Sequence, residues 1–169
     1  MKIPHYIRAD CREIKLPQCL VGAVCGLVLS IVSALLAGNF FILYRILLLP
    51  RSAFPPLIFL MVQSLQFMLC GAIIAVLLTM CRRRNRRWRN AALLLVVTHL
   101  MLMIVWFPLV FGSLSFFIAF FIIAAAAALS FYSLRFMIKF NTVVTLAAAL
   151  HFLWLVYLMW LTFAILLLN

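Results

Sequence analysis

Few residues in this chain could do chemistry, and their types narrow what chemistry that is. Of 169 residues only two are side-chain carboxylates, Asp10 and Glu13, both near the N-terminus. Paired-acid catalysis, an acid orienting a histidine, and an acidic proton path all need carboxylates deeper in the chain, so none is expected. His99 and His151 lie in long apolar stretches, where two imidazoles from two helices could ligate a haem iron. The five cysteines have no paired or metal-type spacing and read as small apolar fillers. Walker and dinucleotide glycine patterns are missing. The expectation is a protein that is not an enzyme and requires no cofactor.

Polar groups inside apolar stretches are costly and therefore informative. Gln63, Gln66 and Phe67 fall three and four residues apart, on one helical face. His99, Met103 and Trp106 repeat that pattern, as do His151, Trp154, Leu158 and Thr162. Each group alone is compatible with a hydrogen-bonded side chain in a packed core. Together they predict a shared interior pocket.

The elements that must position these strips follow from composition. The chain is 70% apolar and 9% charged, against about half and about a quarter in a soluble domain, which rules out a soluble globular enzyme. Residues 16–44, 52–81, 90–134 and 140–169 carry no Asp, Glu, Lys or Arg. A spanning helix needs about 20 apolar residues, so three of these windows hold one span each and the longest holds two. No alternating pattern of barrel type recurs. The predicted fold is an all-α integral membrane bundle of five transmembrane helices, at 17–42, 56–80, 91–111, 114–136 and 142–168, preceded by a basic arm at 1–16. Gly112 to Ser115 supplies the tight joint in the long window.

Charge sets the expected orientation. With the N-terminus inside, all of the 14 basic residues except Arg45 and Arg51 fall on the inner side, giving a cytoplasmic N-terminus and an outer C-terminus. A cleaved signal peptide is not expected, because the first apolar run starts late and is too long. The run Cys81 to Arg89 reads as a loop meeting anionic headgroups, with Trp88 at the interface, rather than as a nucleic-acid site. Gly22, Gly26, Ser30, Ala34 and Gly38 form a ridge of small residues suited to packing within the bundle or to a homodimer face. Ala124 to Ala128 beneath Phe116, Phe117, Phe120 and Phe121 form a taper that could bound a cavity or simply face lipid.

A family resemblance adds to this reading. The stretch Leu43 to Pro56, LYRILLLPRSAFPP, resembles the first loop and second-helix start of the translocator protein or tryptophan-rich sensory protein family (TspO/MBR). The family's pattern there runs approximately WYxxLxKPxWxPP, and Tyr44, Leu47, Pro50 and Pro55 coincide with it. Val62 and Gly71 match the second helix, Trp106 to Gly112 resembles the tryptophan-proline end of the third, and Trp154 matches a fifth-helix tryptophan. The resemblance implies a five-helix bundle whose cavity opens toward the first loop and binds porphyrins, sterols and other flat hydrophobic molecules. Members have been described as transporters, sensors and, in some bacteria, porphyrin-degrading proteins.

Carried over residue by residue, Trp106 and Trp154 match pocket tryptophans and Pro108 the proline that bends the third helix. Gln63 stands where the family usually has a tryptophan, Phe67 where it has a tyrosine, and Met103 and Thr162 where asparagines are common. The loss at Gln63 argues against the degradation chemistry, and no basic residue follows Lys139 to complete the sterol pattern. The expected ligand-binding set is Trp106, Trp154, Gln63, Phe67, His99, Met103, Phe59 and Thr162, with Arg45, Arg51, Pro50 and Pro55 at the loop mouth. The arginines could pair with propionates, which favours porphyrin or haem as ligand. Expected partners are the lipid bilayer, a hydrophobic small molecule and a second copy of the chain, with no nucleic acid. The rival expectations are a structural or assembly subunit without a cavity and a small-solute transporter.

Overall fold

The computed structural model describes residues 15–79, 86–138 and 141–169. The basic arm up to residue 14, the loop residues Cys81 to Arg84, and Lys139 lie outside the described residues. Among the described residues six helices follow in order: α1 Leu16–Leu36, α2 Phe40–Ile46, α3 Pro56–Thr79, α4 Arg86–Phe111, α5 Phe116–Met137 and α6 Thr142–Leu168. Five of them are long and apolar enough to cross a membrane. α2 is a short additional helix.

The first predicted span, 17–42, is corrected. α1 stops at Leu36 because Gly38 takes a left-handed conformation (φ +68°), with its N–H donating to Leu35 O. Gly38 is thus a helix terminator and leaves the ridge of small residues. α4 begins at Arg86 rather than Ala91, so part of the basic run is helical. The joint at Gly112 to Ser115 is where the sequence placed it. Gly112 and Ser113 N–H both donate to Pro108 O, and a side chain at Gly112 would meet that same oxygen. Asn141 caps the start of α6, its Oδ1 accepting from the N–H groups of Val143 (2.9 Å) and Val144 (3.1 Å).

The five long helices close a ring in the order α1, α3, α6, α5, α4, with a further contact between α3 and α4 across it. The α1–α3 seam is the closest. A Cβ on Gly22 or Gly26 would collide with the α3 backbone at Gly71 and Phe67, and one on Gly71 with the α1 backbone. Without a hydrophobic drive between helices in lipid, such backbone approach supplies the dispersion contact that holds them. Ser30 Oγ and Ser64 Oγ close the seam at 3.0 Å. Gly22, Gly26 and Ser30 of the ridge therefore pack against α3 within the bundle. Phe117 and Phe121 are exposed on α5, which makes them lipid-facing rather than cavity walls.

Pro108 leaves the carbonyl of Ile104 without its helical donor. Ser33 of α1 supplies one, its Oγ donating to Ile104 O at 3.1 Å. The proline position in α4 and the position of α1 are thereby coupled.

Candidate functional site

The inward strips of α3, α4 and α6 meet as the spacing predicts. Trp106 on α4 is fully buried, and its Nε1 donates to Thr162 Oγ1 at 3.1 Å, while that hydroxyl donates to Leu158 O at 2.7 Å. Trp154 on α6 donates from Nε1 to Gln63 Oε1 of α3 at 2.8 Å. The amide nitrogen of Gln63 is buried and has no partner. Both indoles point into the bundle.

The hollow expected between them is not there. Phe59, Phe67, Met103, Leu155 and Leu158 are fully buried and form one continuous core with both indoles. Phe59 reaches Trp154 at a ring-centroid distance of 5.7 Å, stacks on Phe40 and Phe107 and meets Phe111 edge-on. Three cavities among the described residues lie elsewhere. One of about 470 Å³ runs between α1 and α3, lined by Val21, Gly22, Cys25, Gly26, Gly71 and Leu78 among others. A second of about 490 Å³ follows the outer side of α3, and a third of about 450 Å³ surrounds Pro108 and Gly112. Neither indole lines any of these three. Large aromatic side chains explain the difference, since they fill interior volume that helix spacing alone cannot reveal.

The loop between α2 and α3 covers the Trp154 end of the core. Phe54 lies against Tyr157 (5.2 Å between centroids) and Trp154 (6.3 Å), and Trp154 stacks on Tyr157 at 5.1 Å. Two ties hold the loop backbone. Tyr44 OH donates to Phe54 O at 2.6 Å, and the terminal Asn169 side chain accepts from Leu48 N–H and donates to Leu48 O, both at 3.1 Å. Burial, followed by the neighbouring Tyr157 phenol, pushes the Tyr44 phenol up to about 12. Pro50 O accepts from Ala53 N–H and Pro55 O from Phe59 N–H, so the two mouth prolines shape the turn and start α3. Arg45 and Arg51 are exposed beside it.

His99 and His151 do not flank a space for a porphyrin. Their rings are stacked, 5.1 Å between centroids and 27° between planes, which leaves no room for a macrocycle between them. His99 Nε2 instead faces Cys70 Sγ at 3.7 Å, and His151 Nδ1 faces Gln66 Oε1 at 3.1 Å. Cys70 is buried and paired, so the reading of the cysteines as passive fillers fails at this position. Phe54, Tyr157, Asn169 and Cys70 were missed as site residues. Cys70 was detectable in principle, seven residues after Gln63 and three after Phe67 on the same face of α3.

Fold and site together define an integral, multi-pass membrane protein: a ring of five spanning helices around an aromatic core, with a tethered loop over one end. The model of the TspO/MBR family matches residues 19–168, nearly the whole chain. The chain belongs to the TspO/MBR family, and membership points to membrane binding, transport or sensing. No curated protein and no solved structure matches the chain.

Proposed function

We propose that the protein binds a flat hydrophobic molecule of the porphyrin or tetrapyrrole class at the Trp154 stack, and that Phe54 occupies the ligand's place in the closed form. The observation that carries this reading is the layered arrangement of Phe54, Trp154 and Tyr157 above a buried Gln63 amide nitrogen with no acceptor. A planar ligand with an acceptor edge would replace the Phe54 contact, stack on Trp154 and satisfy that nitrogen. Phe54 is 40% exposed and sits in a loop held by its backbone, so its side chain can turn outward while the loop stays tethered. Binding rather than catalysis is the role proposed, because both side-chain carboxylates lie in the N-terminal arm, far along the chain from the indoles.

Titrating detergent-purified protein with protoporphyrin IX while following tryptophan emission tests the site. Saturable quenching is expected, and Phe54→Ala should tighten binding by up to about tenfold, the worth of one aromatic contact. If Trp106→Phe with Trp154→Phe leaves protoporphyrin affinity unchanged, the site is elsewhere. The filled interior favours one second reading, a structural or assembly subunit, for which no saturable response to protoporphyrin, haem or a sterol would be seen. The distribution of basic residues supports a cytoplasmic N-terminus and an outer C-terminus, with the loop over Trp154 on the outer side.

A further inference from the structure

Three helices bring a thiol and two imidazoles together at the middle of the membrane. Cys70 on α3, His99 on α4 and His151 on α6 are all buried, and their ligand atoms lie within 4.8 Å of one another. Cys70 is nine residues from the end of α3 and His151 nine from the start of α6, which at about 1.5 Å per residue puts both roughly 14 Å along their helices, near the midplane of a hydrocarbon core about 30 Å thick.

Local contacts leave the right atoms available. The amide oxygen of Gln66 can only accept, so His151 Nδ1 carries the proton and the lone pair sits on Nε2. That Nε2 is buried and has no partner. His99 Nδ1 is buried without a hydrogen-bond partner, and its Nε2 is turned to the Cys70 sulfur. The 3.7 Å between that nitrogen and the sulfur is the separation across a trigonal centre with metal–sulfur and metal–nitrogen bonds of about 2.3 and 2.0 Å. To complete the triangle the His151 ring must turn its Nε2 out of the stack with His99 as well as move inward by roughly an ångström.

We infer that Cys70, His99 and His151 form a membrane-embedded site for a monovalent soft metal ion, Cu(I). Charge decides between candidates. Cu(I) with one thiolate and two neutral imidazoles is neutral overall, whereas Zn(II) or Cu(II) in the same set leaves a net positive charge at a depth where charge is costly, on spanning helices that carry no Asp or Glu. Binding releases one proton, that of the Cys70 thiol, to the medium and involves no change of metal oxidation state. Thiolate with imidazole is a soft donor set that suits copper in this state.

The full chain, carrying serine at Cys11, Cys19, Cys25 and Cys81 so that Cys70 is its sole thiol, is titrated anaerobically in detergent with Cu(I) against a bicinchoninate competitor. One Cu(I) per chain is expected, with X-ray absorption showing one sulfur and two nitrogen neighbours at about 2.3 and 2.0 Å. Cys70→Ser or His151→Gln should weaken binding by about 100-fold or more, and Gln66→Leu, which removes no ligand, by about tenfold. Zn(II) should bind far more weakly than Cu(I), and protoporphyrin quenching should be the same with and without copper. No stoichiometric Cu(I) on the folded Cys70-only protein, a shell without sulfur, or Zn(II) bound as tightly as Cu(I) would overturn the assignment. The absorption spectrum of the Cys70-only protein decides even if the ligand variants fail to fold.

Discussion

At the scale of single residues, the costs of polar groups in lipid explain most of what the interior contains. Ser33 matters because Pro108 strips Ile104 O of its helical partner, so Ser33→Ala should cost about 1 kcal/mol against unfolding in detergent. In a Pro108→Ala background, where residue 108 again supplies an N–H, that cost should disappear, and a double-mutant cycle that gives additive effects would refute the coupling. Tyr44 is held neutral by its surroundings, raised from 10.0 to about 12. A raised acid favours its protonated form in the fold, so its contribution to stability is complete below pH 10 and falls as the pH rises toward 12. Thermal melts across that range should show a decline that Tyr44→Phe flattens. Arg45 and Arg51 make a separate prediction: neutralising both with glutamine should weaken protoporphyrin IX several-fold but leave its dimethyl ester unaffected, as ligand titrations of both compounds would show.

At the scale of helices, the same residue type serves opposite purposes according to where it falls. Gly22 and Gly71 are required by space, because opposing backbones meet where a side chain would be. Gly38 is required by conformation alone, at φ +68° with nothing within 4 Å of a Cβ. Gly71→Val should therefore prevent α1 from docking on α3, seen as loss of a cooperative melt, whereas Gly38→Ala should cost only about 1 kcal/mol of backbone strain. The α2–α3 loop depends on the far end of α6. Removing the amide with Asn169→Ala frees Leu48, and hydrogen exchange at residues 47–55 should accelerate while the spanning helices are unchanged.

At the scale of the whole molecule, the ring of helices covers its outer surface with large apolar side chains and keeps Gln63, His99, His151 and Thr162 within, around the aromatic core. That inversion of the usual surface is what a lipid solvent selects. The expected orientation can be checked independently of any ligand, by labelling a variant whose only cysteine is Cys81 with an impermeant maleimide. Label should enter only from the cytoplasmic side. The five spans, the joint at Gly112 and the convergence of three amphipathic strips were all legible, because charges and turn residues punctuate a membrane sequence strongly.

What the chain's residues determined unaided was the class of solvent, the number of crossings and which faces turn inward, since each depends on local composition and helical period. Whether the interior is hollow, and which polar groups meet there, was decided only by packing. Phe59, Phe67 and Met103 fill the volume beside the indoles, and Cys70, His99 and His151 come together from helices far apart in sequence. Helical spacing fixes a side chain's direction on its own axis, but its neighbours depend on how closely the axes approach, and that is set by contacts such as the glycines of the α1–α3 seam and the Ser33 bond to the carbonyl freed by Pro108.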